Sequence, residues 1–370
     1  MVDVGETAQA LARRNILDLH EIAGGLEPAE RERFNRLFAV ESTAGRLVPP
    51  EHMHRWVERY FGSVAAVASQ KVVKVTNRVT LEETLFNELR ARRPLEARIP
   101  AELAEEIART APDPFCEPEL NTPADTFGRV RGSHAITASN IAKYDGAHGV
   151  IIFGDHDPLA FTEDSVVDVV RVAQEWFVQA HAADPTAVYP LFMWNCLWKS
   201  GASIPHGHAQ VSLTRGMHYG KVERQRRVAQ DYQQAHGENY FDDLFRTHQA
   251  LGLGARLGQV RVMASLTPLK EKEVVLLAPR VDDQLARVVH DTLQCMVDQL
   301  NVVSFNLVIW QPPLAETPED WSGMPVIVHA VDRGDPLNRT SDIGAMELYA
   351  ASVVSSDPFR VAEAVLPRLG

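Results

Sequence analysis

Apolar positions along this chain follow two rhythms, short continuous runs and a recurrence every three to four residues. Gly149-Val150-Ile151-Ile152-Phe153 is a continuous run, as expected of a strand covered on both faces. From Thr162 to Ala183, residues Val166, Val169, Val170, Ala173, Trp176 and Phe177 recur at helical spacing. They predict an amphipathic helix with Thr162 as its N-cap. Val188 to Asn195 predicts another strand, and the stretch through His206, His208, Gln210 and Ser212 a third. The same order then returns, with Glu273 to Pro279 a strand, Val281 to Val302 a helix, and Phe305 to Trp310 and Pro325 to Val331 strands. Such recurrence predicts two copies of one α+β unit. Residues 1–70 form a polar arm expected to be helical, 71–225 the first copy and 226–370 the second. The polar, helix-like stretch from Thr214 to Gly254 connects the copies.

The third strand is chemically unusual. A period of two puts His206, His208, Gln210 and Ser212 on one face, and Pro205, Gly207, Ala209, Val211 and Leu213 on the other. A neutral imidazole at His208 can attack phosphorus and form a nucleotidyl-imidazole, provided its other nitrogen is held by an acceptor such as a backbone carbonyl. Gln210 can donate to a non-bridging oxygen as charge builds there. Ser203 and the approach Ser200-Gly201-Ala202 can offer hydroxyl and backbone N–H groups to a leaving phosphate. The second copy keeps only His329 in Val326-Ile327-Val328-His329-Ala330-Val331, with valine two positions later, so it is expected to be degenerate.

Composition narrows the setting. Hydrophobic residues at 45% and charged residues at 23% are ordinary for a soluble globular protein. A formal charge of -12 argues against general nucleic-acid binding, so a phosphate ligand needs local counter-charge. Arg90-Ala91-Arg92-Arg93-Pro94 is the basic cluster that stands out. No apolar run approaches bilayer-spanning length, and the first residues lack a signal-peptide pattern. Three widely spaced cysteines, Cys116, Cys196 and Cys295, fit a reducing compartment, so no membrane partner and a cytoplasmic location are expected.

Asn195, then seven residues, then Ser203-Ile204-Pro205-His206-Gly207-His208-Ala209-Gln210, resembles the active-site stretch of the galactose-1-phosphate uridylyltransferases of the histidine-triad superfamily. Further similar elements follow in order. Asn77-x-x-Thr80 with Arg90 to Pro94 resembles an element whose two flanking arginines bind phosphates, by position Arg90 and Arg93. Ala138-Ser139-Asn140 resembles a nucleotide-binding segment, and Val150 to His156 a strand leading into an Asp-His pair. Gly344-Ala345-Met346-Glu347 resembles a Gly-Tyr-Glu element whose glutamate contacts sugar hydroxyls. The likeness spans roughly residues 77–367.

What the resemblance implies is an α+β fold of two histidine-triad-like halves forming a mainly antiparallel sheet flanked by helices, plus the N-terminal helical arm. It implies a nucleotidyltransferase with His208, Gln210 and Ser203 at the reacting centre. Arg90, Arg93, Asn140, Asn195 and Glu347 would bind substrate. The substrates implied are a nucleoside-diphosphate sugar or a dinucleoside polyphosphate and a phosphorylated acceptor, with a homodimer compatible. The family's zinc site maps onto Asp113, Cys116, His156 and His206, with Asp113 in place of a cysteine. Carboxylate oxygen is an acceptable zinc ligand; the other reading makes His206 a hydrogen-bonding support. Gly207 and Ala209 replace a proline and a glycine of the family pattern. The family's second metal site is largely missing, with Trp310, Gln311 and Val331 where histidines would stand, and Val353 replaces a sugar-binding glutamine. Those losses put galactose phosphate itself in doubt. They keep two rivals open, a phosphorylase of dinucleoside polyphosphates or ADP-sugars and a non-catalytic nucleotide-binding protein. A glutamine at 210 favours transfer over hydrolysis, since an amide cannot activate water.

Overall fold

The computed structural model describes residues 14–87, 89–90 and 100–369. Its strands are β1 (Phe38–Arg46), β2 (Ser69–Asn77), β3 (Glu83–Phe86), β4 (Ala135–Ser139), β5 (Ala147–Phe153), β6 (Ala187–Asn195) and β7 (His208–Arg215). They continue as β8 (Gly254–Leu257), β9 (Val260–Ala264), β10 (Val274–Ala278), β11 (Phe305–Trp310), β12 (Val326–Asp332) and β13 (Ser352–Val354). Nine strands form one antiparallel sheet in the order β4-β5-β7-β6-β11-β12-β10-β9-β8. The other four form a smaller sheet, β1-β2-β3-β13.

The duplication expected from the hydrophobic pattern is present in the topology. β4, β5, the helix Glu163–Ala183, β6 and β7 form the first unit, and β9, β10, the helix Asp283–Leu300, β11 and β12 the second. In each unit the last strand inserts between the second and third. The two third strands, β6 and β11, meet at the centre of the sheet with Met193 opposite Val308. The fold class is therefore α+β, with helices flanking a large antiparallel sheet.

The helix Glu163–Ala183 starts where the sequence placed it. Thr162 accepts a bond from the Ser165 N–H, and Ser165 Oγ accepts one from the Thr162 N–H, closing a capping box at the N-terminus. Its stripe from Val166 to Phe177 is buried against the sheet. Trp176 lies directly over β5 at Gly149, where an added Cβ would come within 2.8 Å of the indole. Glycine here lets helix and strand approach. The helix thus claims one face of β5 and β7 and leaves the face bearing Val150, Ile152, His208 and Gln210 for other work, as their register pairing confirms.

The segment before residue 70 departs from the helical expectation. It holds the helices Leu19–Gly24, Pro28–Leu37, His54–Phe61 and Val64–Ala68, but also the nine-residue strand β1. β1 pairs with β2 residue for residue, from Phe38 opposite Asn77 to Arg46 opposite Ser69. Its partner lies outside the local window that a periodicity argument sees, and its exposed half carries no apolar alternation. No helix of the described residues is long and apolar enough to cross a membrane.

Candidate active site

After β6 the chain turns through Leu197, at φ 68°, and Gly201, at φ 102°, a left-handed position that suits glycine. The short 3-10 turn Trp198–Ser200 is pinned by Ser200 Oγ, which lies 2.8 Å from Cys196 O and 2.7 Å from Leu197 O. Entry into β7 is set at Gly207, whose N–H donates to His156 O at 3.3 Å and whose carbonyl accepts from Phe153 N at 2.9 Å. A Cβ there would meet Phe153 Cδ2 at 2.8 Å. The glycine between the two histidines is thus required by the phenylalanine beneath it, and its N–H by His156.

His208 is buried, with Nδ1 2.7 Å from the carbonyl of His206. A carbonyl only accepts, so Nδ1 carries the proton and Nε2 presents a lone pair. Among the described residues Nε2 has no hydrogen-bond partner. The ring stands edge to face with Phe115 at 5.2 Å, beside a dry bed of Ala138, Val150 and Ile152. Burial pushes its pKa below the ordinary imidazole value, which keeps it neutral near pH 7.

Gln210 Oε1 sits 2.9 Å from Nε2 of His148, a fully buried residue on β5 that the sequence analysis did not single out. The Tyr144 N–H donates to His148 Nδ1 at 3.0 Å, so the ring proton is on Nε2 and points to Gln210 Oε1. Gln210 is thereby oriented with its amide NH2 as the outward donor. Tyr144 stacks on His148 at 4.2 Å, and burial holds the imidazole neutral by lowering its pKa. Asn140, one of the expected nucleotide binders, places its Nδ2 3.3 Å from the same ring nitrogen. The available signal was parity, because His148 lies two residues before Val150 and so shares the face of Gln210. Ser212, last of the polar row, is engaged elsewhere, 2.5 Å from the Tyr219 hydroxyl.

His206 belongs to a separate cluster. Its Nε2 lies 2.9 Å from Phe153 O, and His156 Nε2 lies 3.1 Å from Ile107 O, so both rings turn an unprotonated Nδ1 inward. Those two nitrogens are 3.2 Å apart, with Cys116 Sγ at 3.5 and 3.7 Å from them. Asp113 adds Oδ1 3.4 Å from His206 Nδ1 and Oδ2 3.7 Å from His156 Nδ1. Asp113 Oδ2 is buried with no hydrogen-bond partner. Four potential metal-ligand atoms converge there, neither imidazole turning an N–H toward the others, and a cation would satisfy all four. The spacings match the edges of a zinc tetrahedron, roughly 3.3–3.7 Å for bonds of 2.0–2.3 Å. The residues therefore fit a metal, and Asp113 belongs to the group. Phe115, between Asp113 and Cys116, walls both His206 and His208.

The other expected residues have partners or settings of their own. Ser203 is exposed and makes no hydrogen bond among the described residues. Asn195 accepts from Asn306 Nδ2 at 2.6 Å where β6 meets β11. Arg90 lies in a groove with Trp56 and Gln70. Glu347 accepts from the Gly344 N–H at 2.9 Å at the start of the helix Ala345–Tyr349. Burial works against its charge, but backbone N–H groups together with Lys270 and Arg90 lower its pKa overall. Arg90 and Glu347 thus feel each other's charge. Arg93 lies outside the described residues. In the second copy His329 Nδ1 lies 3.0 Å from Glu273 Oε1, and its ring packs on Trp310 at 4.7 Å.

A duplicated α+β unit sharing one antiparallel sheet defines the class, and the fold is like that of solved GalT-like and uridylyltransferase structures. An ADP-glucose phosphorylase from Arabidopsis thaliana with bound ADP-glucose is similar at TM-score 0.61 and 16% identity, over 78% of this chain and 97% of that one. A GalT-like protein from Arabidopsis thaliana is similar at TM-score 0.58 and 17% identity, over 70% and 93%. A uridylyltransferase is similar at TM-score 0.55 and 14% identity, over 78% and 96%. No protein-family model and no curated protein matches the chain.

Proposed function

We propose that this protein is a nucleotidyltransferase that carries a nucleoside monophosphate on His208 between two phosphate compounds. The observation that carries this reading is the bond from Nδ1 to His206 O at 2.7 Å, which leaves a neutral imidazole with Nε2 open. In the first step the Nε2 lone pair attacks the α-phosphorus of a nucleoside-diphosphate sugar or dinucleoside polyphosphate. The bond from phosphorus to the bridging oxygen breaks, and its electrons leave with the sugar phosphate or the second nucleotide. In the second step a phosphate oxygen of the acceptor attacks the same phosphorus, and the P–N electron pair returns to Nε2.

Gln210, oriented by His148, donates its amide N–H to a non-bridging oxygen as charge develops. Arg90, Arg93, Asn140, Asn195 and Ser203 supply phosphate and nucleotide contacts, and Glu347 the sugar or acceptor contact. Asp113, Cys116, His156 and His206 would hold a zinc ion, which when bound ties the Phe115 loop to the strand ahead of His208. The similarity to a structure of ADP-glucose phosphorylase with bound ADP-glucose favours a second form of the same chemistry, with inorganic phosphate as acceptor.

Partial exchange tests the reading. Labelled glucose 1-phosphate should enter UDP-glucose or ADP-glucose with no second acceptor present, and His208→Gly should abolish this. Nucleoside diphosphate released with inorganic phosphate marks a phosphorylase, and transfer only to a hexose phosphate marks a transferase. Turnover that needs both substrates at once, with no exchange, would overturn the covalent route.

A further inference from the structure

The second unit meets the first where β11 pairs with β6, and Asn306 stands opposite Asn195 there. A period of two along β6 puts Asn195 on the face of Met193, which pairs with Gln210. Both asparagines therefore belong to the face that carries His208. The Asn306 amide has one orientation. A guanidinium only donates, and Arg333 Nη1 bonds one end of the amide, which is therefore Oδ1. A backbone carbonyl only accepts, and Ser200 O lies 2.8 Å from the other end, which is therefore Nδ2. That Nδ2 also lies 2.6 Å from Asn195, so Asn195 turns its Oδ1 toward Asn306 and keeps its NH2 for another partner. Arg333 is held in turn by Asp342, whose two oxygens accept from Nε at 2.8 Å and Nη2 at 2.9 Å. The loop between them also grips the turn after β6. Pro336 O accepts from Trp198 Nε1 at 2.7 Å, and Asn338 O and Thr340 O accept from Lys199 Nζ.

We propose that Asn306, set by Arg333 and Ser200 O, is a positioning residue that aims the Asn195 amide as a phosphate donor beside His208. This rests on the reading of Asn195 as a phosphate contact. An unrestrained asparagine can turn either end of its amide to a ligand, and Oδ1 against a phosphate oxygen repels. Fixing the amide before substrate arrives removes that choice and its entropic cost. Gln210 is treated alike, its Oε1 taken by His148 of β5. The two amides on the His208 face thus both have their oxygens occupied and their N–H groups left for phosphate. One is oriented from within the first unit and the other from the second, which gives the degenerate copy a part in the reaction.

Asn306→Asp keeps the shape and the bond from Arg333, but a carboxylate cannot donate. Asn195 then turns its NH2 inward and its Oδ1 outward. Titration calorimetry of the full chain with UDP and ADP, without acceptor, reads the effect. Asn306→Asp and Asn195→Ala should each weaken the nucleotide that the wild type binds by about tenfold or more. The double variant should stay within about threefold of either single one, since the contact is already lost. Asn306→Ser frees the Asn195 amide without adding charge, and should show a smaller loss with the same non-additivity. A loss through added charge or disturbed folding would instead add to that of Asn195→Ala, and would overturn the proposal. So would Asn306 variants that bind as the wild type does, whatever their thermal midpoints. A wild type that binds neither UDP nor ADP would overturn the nucleotide reading as well, which separates the two failures.

Discussion

At the scale of single residues the site depends on which atom of each polar side chain is left free. The carbonyl of His206 takes the Nδ1 proton of His208, and the Tyr144 N–H fixes His148 so that His148 in turn fixes Gln210. His148 is therefore a positioning residue for the Gln210 amide, the group proposed to meet phosphate. His148→Ala should lower kcat by about tenfold to a hundredfold with KM little changed, because a misaimed donor is lost where charge develops. His148→Gln, which can still donate to Oε1, should recover part of that loss, and single-turnover measurement of the first transfer checks both. His208 and Gln210 were legible because alternation alone put them on one face. His148 was not, because a strand read from its apolar run begins one residue too late, at Gly149. Nor can spacing reveal that Ser212 is engaged by Tyr219, a contact made across the loop that follows β7.

At the scale of elements, the loop Asp113–Cys116 meets the approach to β7 through side chains. Two imidazoles, a thiol and an orphaned carboxylate oxygen meet there, an arrangement a zinc ion would stabilise. Protein purified without chelator should carry about one zinc per chain, and Cys116→Ser should bind it tenfold or more weakly. Metal analysis after dialysis, with the thermal midpoint followed in parallel, reads both. The long helix and the central strands of each unit were legible because one face or both faces are apolar over many residues. β4, β8 and β9, of four or five residues each, fell below what periodicity resolves. β1 escaped for the opposite reason, being long but exposed.

At the scale of the whole molecule, two similar units share one sheet, and the second has Val331 two positions after its histidine where the first has Gln210. In the helix Tyr240–Ala250, ahead of the second unit, His248 couples the fold to pH. Its Nδ1 lies 2.8 Å from Leu244 O and its Nε2 accepts from the Leu266 N–H at 3.2 Å, so only the neutral ring satisfies both. Burial pushes its pKa from 6.5 down to about 4. The unfolded chain takes up that proton first, so stability present above pH 6.5 is lost as pH falls toward 4, by on the order of 3 kcal/mol from this group. Urea midpoints measured across that interval should fall, with a shallower slope for His248→Gln.

The claim that matters most is that His208 carries the transferred group. Intact-mass spectrometry after brief incubation with UDP-, ADP- and GDP-sugars and dinucleoside polyphosphates, followed by peptide mapping, tests it most directly. A nucleoside monophosphate adduct on His208, absent in His208→Gly and discharged by a phosphorylated acceptor or inorganic phosphate, is the predicted result. Turnover of a donor without any adduct, or an adduct that persists in His208→Gly, would contradict it.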